Sequence, residues 1–467
     1  MKTTGREERV SKQPERPVSI ARAPNEDVCW PRVAVVLAAG RASRLSACTG
    51  GTSKATLKLG GISLLERCVR TLLGSGLQRV VVVLGHDADA VGRSLDGFPS
   101  ERVQTVCAPN WQLGNSASLM GAAPLVAGED LFLLVTADHL FSRGALKSIL
   151  EAGGPAMLID PAPGAAWVGG TRVRIVDGYV AACSKDLDDG SIDCGVFLVT
   201  PAIFSQYAAA AARGDYSLAA MLTGFAQAEP LRAVTLPPGK WWWDIDTPED
   251  FKRARELLRR SLAKASDGPI SRYINRPLST RLSMALASLR PSPMLLTLLT
   301  SALGFIAALL LASGQGIAGG VLAQLTSVLD GVDGEIARLQ FRESLRGHYV
   351  DGLLDRLVDT ALIAALGVLA ASQGAPAGVL STLVAAATAA VILPMATKDR
   401  VQLMGLRHER DAFGSHLLGG RDGRLLIVAV GSILGQPLPT IAAVALTSGA
   451  GLIPRLVYVL RSSEARG

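Results

Sequence analysis

The sequence predicts an α/β domain on a mostly parallel, Rossmann-like sheet, followed by an all-α domain of six transmembrane helices. Three observations lead there. Short apolar runs alternate with helical patterns up to about residue 266, the order that sets parallel strands side by side under helices on both faces. Beyond about residue 292 that alternation gives way to apolar spans near membrane length. The 467-residue chain also has a mean hydropathy of +0.32, and the apolar excess is concentrated in the second part.

Residues 1–30 are charged and poor in large apolar side chains. They read as a disordered tail without a signal peptide. Residues 31–266 read as a cytosolic domain. Val33-Ala-Val-Val-Leu37 is a buried strand ending in Ala38-Ala39-Gly40, and a helix is expected over 62–74. Strands follow at 79–84 and 130–136, the latter leading into Ala137-Asp138-His139. Ligands of such sheets sit at the carboxyl ends of the strands, which is where Gly40 and Asp138 fall. More strands are expected over 155–200. A basic helix over 248–266 opens with Thr247 as N-cap and Pro248 in its first turn.

Residues 267–291 read as a linker and an interfacial helix, with spaced apolar residues, several arginines and an interruption at Pro277. Residues 292–467 form the membrane domain, with spans at 293–313, 316–338, 349–372, 376–396, 424–436 and 438–460. Basic residues gather in alternate connections: Arg338, Arg342 and Arg346, then Lys398 through Arg424. The opposite connections carry no charge. That asymmetry places both termini and the cytosolic domain in the cytoplasm of a multi-pass protein of the cell membrane. The net charge of +7 is read as serving anionic lipid and phosphorylated substrates, not nucleic acid. The six cysteines show no paired spacing, which suits a reducing compartment.

The strongest motif is Asp330-Gly-Val-Asp333-Gly334-Glu-Ile-Ala337-Arg338, eight residues, then Gly347-His-Tyr-Val-Asp351-Gly-Leu-Leu-Asp355. On helices, Asp330 and Asp333 share one face, and Asp351 and Asp355 share another. Two such helices packed together would converge four carboxylates. Burying them is costly unless they are paired or hold a hard cation. The motif resembles the signature D-x2-D-G-x2-A-R-x8-G-x3-D-x3-D of CDP-alcohol phosphotransferases. The resemblance implies Mg²⁺, or Mn²⁺, held by Asp330, Asp333, Asp351 and Asp355, with Asp355 also the general base. It implies a nucleotide site lined by Gly334, Ala337 and Arg338.

Leu37-Ala38-Ala39-Gly40 through Arg44, with Lys54, resembles the nucleotide loop of sugar-phosphate nucleotidyltransferases. Gly114-Asn115-Ser116 resembles their base- and substrate-contacting loop. Asp138, and Asp246 in Trp243-Asp244-Ile-Asp246, stand where that family holds its metal. Arg44 and Lys54 would carry the charge for phosphates, and Lys185 and Asp193 match the substrate-pocket segment. His139 is read as structural and not as a ligand, and Trp241–Trp243 as packing beside the site.

The pairing of the two parts resembles bifunctional inositol-1-phosphate cytidylyltransferase/di-myo-inositol-phosphate-phosphate synthases. The resemblance implies CTP and inositol 1-phosphate as substrates, CDP-inositol as intermediate, and a second inositol 1-phosphate as acceptor. Lys398, Arg421 and Arg424 are candidates to bind that acceptor. It also implies membrane lipids as surroundings and a homodimer through the membrane domain. A lipid alcohol as acceptor is the alternative reading.

Overall fold

The structure is a computed structural model that describes residues 30–41, 45, 51–162, 164, 169–188, 190–264, 266–403 and 420–464. Arg44 and the tail over 1–29 lie outside the described residues, as does the side chain of Lys398.

The first part is built on strands β1 (Val33–Leu37), β4 (Arg79–Leu84), β5 (Val103–Cys107), β6 (Phe132–Thr136), β8 (Ala156–Asp160), β9 (Arg172–Val176), β10 (Tyr179–Ser184), β11 (Ser191–Val199) and β12 (Arg232–Thr235). They form one nine-stranded sheet in the order β5-β4-β1-β6-β11-β8-β12-β10-β9. The run Val33–Leu37 is apolar at every position because β1 is buried along its whole length between parallel neighbours β4 and β6. Two ribbons stand apart from the sheet, β2 (Lys58–Leu59) with β3 (Ile62–Ser63), and β7 (His139–Phe141) with β13 (Trp242–Asp244). The covering helices include α1 (Leu64–Gly74) and α2 (Leu218–Ala228), and α3 (Pro248–Arg260) follows β13. α3 carries the expected cap: Thr247 and Asp250 bond reciprocally to each other's backbone N–H groups.

The sheet is mixed, which corrects the expectation of a mostly parallel one. β11 runs antiparallel to both β6 and β8. An isolated apolar strand carries no record of its direction; only the connection and the packing decide it.

The second part is helical: α4 (Arg276–Leu286), α5 (Pro293–Ala312), α6 (Gly316–Leu339), α7 (Leu345–Ser372), α8 (Ala377–Leu403), α9 (Arg421–Ile433), α10 (Pro437–Gly449) and α11 (Leu452–Glu464). Pro277 does not interrupt α4. A wide π-helical turn over Ser271–Asn275 precedes it, and Pro277 sits in the first turn that follows, where its missing N–H is harmless. The span expected over 438–460 is two helices, α10 and α11. At 13 residues each, α9 and α10 are about 20 Å long, against a hydrocarbon core of about 30 Å. Among the described residues, α5 and the Ala377–Pro394 portion of α8 are long and apolar enough to cross a membrane. α5 buries Thr297, Thr300 and Ser301 and exposes Leu295, Leu298, Leu299 and Leu309. Small and polar side chains turn inward while leucines face out, the inverse of a helix packed in water.

The two parts pack on each other. One apolar cluster runs from Leu59, Leu64 and Ile245 through Leu258 and Leu262 to Met284, Val332, Ile336 and Leu339. Arg290, with φ of 47°, donates from Nε to the Gly61 carbonyl at 2.8 Å and from Nη2 to Glu66 at 3.0 Å.

Candidate active sites

The parallel register of β1 and β6 sets Leu37 opposite Thr136, so the loops leaving both strands emerge together. In the first loop Ala38 and Ala39 are buried and Gly40 is exposed. Ala38 N–H donates to the Val83 carbonyl at 2.9 Å, which fixes where the loop turns away. In the second, Asp138 leads straight into the β7–β13 ribbon, whose register sets His139 opposite Asp244. Carboxylate and imidazole atoms of Asp138, His139 and Asp244 lie within 4.8 Å of one another.

Lys54 bridges the neighbouring acids, with Nζ 2.5 Å from Asp138 and 2.9 Å from Asp246. Burial opposes its charge, but Asp138, Asp244 and Asp246 outweigh that and hold the ammonium above the ordinary lysine range. Burial likewise opposes the Asp138 carboxylate, and Lys54 and His139 outweigh it, so Asp138 stays ionised far below its usual value. For Asp244 burial prevails and lifts the carboxyl to about 6. Its Oδ1 is buried with no hydrogen-bond partner, and with the Asp138 carboxylate it offers the oxygens of the group to a hard cation. The segment read as carrying the second metal ligand thus supplies Asp244 to the donor group, and Asp246 to Lys54. Asp244 ends β13 in register with His139, whereas Asp246 lies beyond the strand.

The His139 Nδ1 lies 2.7 Å from Asp138 and 2.6 Å from Thr136 Oγ1, and its ring stacks on Trp242 at 5.6 Å. Antiparallel β11 brings Asp193 to the same edge, where its Oδ1 accepts from Gly195 N–H at 2.9 Å. Gly195 has φ of +70°, and a Cβ there would stand 2.7 Å from Thr136 Oγ1 and 2.8 Å from the His139 ring. Lys185 is exposed, and its carbonyl is held by Arg172 at 3.1 Å. Gly114, at φ of +151°, packs against Tyr216, whose carbonyl accepts from Ser116 N–H. The Ser116 hydroxyl is buried without a partner, and Asn115 opens the short helix.

The second site lies between α6, α7 and α9. Carboxylate atoms of Asp330, Asp351 and Asp355 lie within 4.8 Å of one another, and Asp351 Oδ1 is buried without a hydrogen-bond partner. Asp333 is turned aside: it accepts from Thr297 on α5 and from its neighbour Gly334 N–H at 2.5 Å. Arg421 enters the cluster from α9, pairing with Asp330, with Asp355 at 2.9 Å and with Asp359 at 3.6 Å. Arg424 is buried on Asp359 at 2.8 Å. A cavity of about 380 Å³ opens beside Arg421, lined by residues 266–271 and 420–423. Ala337 is buried, and Arg338 donates to the Leu262 carbonyl of the first part at 3.1 Å. Gly334 stands against Arg338, whose Nη1 would be 3.2 Å from a Cβ there.

Several residues at the sites escaped the sequence reading. Asp359 follows Asp355 by one helical turn, a spacing that could have found it. Thr297 and Glu335 carry no such signal, because their partners lie on other helices.

Comparison with known proteins agrees with this two-part layout. Residues 34–188 match the MobA-like NTP transferase domain, and residues 291–450 match the CDP-alcohol phosphatidyltransferase family. The chain is 33% identical over 441 residues to the bifunctional IPC transferase and DIPP synthase of Rubrobacter xylanophilus, covering 92% of this chain and 96% of that protein. It is 35% identical over 344 residues to the protein of the same name from Thermococcus kodakarensis, covering 72% and 76%. The inositol-1-phosphate CTP transferase structure from T. maritima superposes with a TM-score of 0.46 at 23% identity, over 50% of this chain and 97% of that one. With two such relatives matched over most of their length, the chain belongs to the family of bifunctional IPC transferases and DIPP synthases.

Proposed function

We propose that the chain makes CDP-inositol at the first site and consumes it at the second. The observation that carries this is the presence in one chain of two separate acidic groups. One stands at a strand end beside a phosphate-type loop, the other between helices that resemble a CDP-alcohol transferase.

In the first reaction an oxygen of inositol 1-phosphate attacks the α-phosphate of CTP and pyrophosphate leaves. Lys54, with Arg44, offsets the charge that develops on the phosphates. Leu37–Gly40 and Gly114–Ser116 bind the nucleotide, and Lys185 and Asp193 bind the inositol phosphate. In the second, a hydroxyl of another inositol 1-phosphate attacks the inositol-bearing phosphorus of CDP-inositol and CMP leaves. Asp355 takes the hydroxyl proton. Gly334, Ala337 and Arg338 line the nucleotide side, while Arg421, Arg424 and Lys398 serve the acceptor phosphate. Mg²⁺ or Mn²⁺ would be held by Asp138 and Asp244, with Asp246 nearby, and by Asp330, Asp351 and Asp355, with Asp333 behind them. When bound, it supplies positive charge to phosphate oxygens.

Six spans in the cell membrane, with both sites and both termini toward the cytoplasm, complete the reading, along with a homodimer through the membrane helices. The cavity beside Arg421 supports a charged, water-borne acceptor over a lipid alcohol. The test is mass spectrometry of products from purified protein given CTP, inositol 1-phosphate and Mg²⁺. A phosphorylated di-inositol phosphodiester plus CMP, formed without lipid, is the expected result. CDP-inositol that is consumed only after diacylglycerol is added would overturn the acceptor assignment.

A further inference from the structure

Helix α4 and the turn before it bury a polar stripe. Ser271, Asn275, Ser279 and Ser283 recur every four residues, and each is at most 4% exposed. Tyr273, Ile274 and Leu278 on the other side are exposed. An interfacial helix that only anchored the chain would turn these apolar residues to lipid and need nothing specific beneath. Here the inner face is wired to the helices of the second site. Asn275 donates to Ser327 at 2.9 Å and to Asp422, at the start of α9, at 2.8 Å. Ser279 and Ser283 donate to the two oxygens of Glu335 at 2.7 and 2.6 Å.

Glu335 sits on α6 between Asp333 and Arg338, and its side chain is fully buried. Its counter-ion is Arg276, 2.7 Å away, whose remaining donors hold Asp267 at 2.8 and 3.1 Å. The guanidinium crosses α6 over Gly331, where a Cβ would stand 2.4 Å from Arg276 Nη1. A side chain at Gly331 would push the guanidinium off this position. Asp267 in turn belongs to the segment 266–271 that walls the cavity beside Arg421. A planar fork spanning two carboxylates has a geometry that lysine cannot copy.

We propose that Arg276 and Glu335 are positioning residues of the second reaction. Through Asp267 they hold residues 266–271 as the fixed wall of the acceptor cavity, and so set affinity for the phosphorylated acceptor. This rests on the reading of the second site given above.

The test uses the full chain in detergent and follows CMP release from CDP-inositol with inositol 1-phosphate as acceptor, and pyrophosphate release from CTP separately. Glu335→Gln keeps one acceptor oxygen and puts an amide NH2 in place of the other, so one of Ser279 and Ser283 must accept instead of donate, and it removes the charge from Arg276. Arg276→Lys keeps charge but cannot span both partners. Asp267→Asn weakens the link from the far end, without touching the helix core. Each is expected to raise KM for the acceptor at least tenfold with kcat within threefold, and pyrophosphate release within twofold. Retained pyrophosphate release in the same preparation identifies folded protein. An acceptor KM within twofold of wild type in all three variants overturns the proposal. So does a fall in kcat without a change in KM, or a parallel loss of both reactions. Wild-type protein that releases CMP only with diacylglycerol overturns the acceptor reading itself, and this inference with it, an outcome visible before any variant is made.

Discussion

Arg421 Nη2 lies 2.9 Å from Asp355 Oδ1, and the same guanidinium also pairs with Asp330. A cation holding Asp330, Asp351 and Asp355 together would compete with it for the same oxygens. Arg421 is thus the counter-ion that lets these carboxylates remain close between helices. Asp359, 3.6 Å from Arg421 Nε, offers the nearest other anchor.

Arg421→Ala should destabilise the protein most when divalent cations are chelated, because removing one partner of a buried pair costs about 3–5 kcal/mol. Thermal unfolding in EDTA and in Mg²⁺ checks this. The deficit should shrink with Mg²⁺; an equal deficit in both would separate Arg421 from the cation site.

Asp355→Asn should stop CMP release and leave pyrophosphate release intact. Asp138→Ala should do the reverse when CDP-inositol is supplied. Loss of both activities from either folded variant would contradict two separate sites.

His139 gives a pH signature in metal-free protein. Burial works against its charge, but Asp244 and Asp138 outweigh it and raise the imidazole to about 9. A raised histidine value adds stability that is complete below the unfolded value of 6.5 and is lost as pH rises through about 9. Melting temperatures in EDTA for wild type and His139→Gln should therefore differ most near pH 6 and converge above pH 9. A gap that widens with pH would contradict the pairing.

Gly61 is a close point of contact between the two parts. It has φ of +86°, and a Cβ would stand 2.1 Å from the Ala287 carbonyl oxygen. Gly61→Ala should loosen the docking and expose the linker over 266–275 to protease. Gly74→Ala, with nothing within 4 Å, should leave the cleavage pattern unchanged. Limited proteolysis of both variants against wild type decides it.

The sequence by itself determined the elements and the chemistry types. The apolar run of β1 and the Thr247 cap of α3 are local patterns, set by strand burial and by helix-end hydrogen bonding. The four aspartates at helical spacing announce an acidic cluster before any fold is known. What tertiary structure alone decided was direction, register and partner. β11 runs antiparallel, which carries Asp193 to the edge where Asp138 lies. The β7–β13 register sets Asp244 opposite His139, beside Asp138. Thr297 draws Asp333 aside, and Arg421 arrives from a helix some 70 residues beyond Asp351. Local sequence fixes which face a side chain takes along its own helix or strand. Which opposite charge meets it depends on how distant segments pack, and burial makes that meeting obligatory.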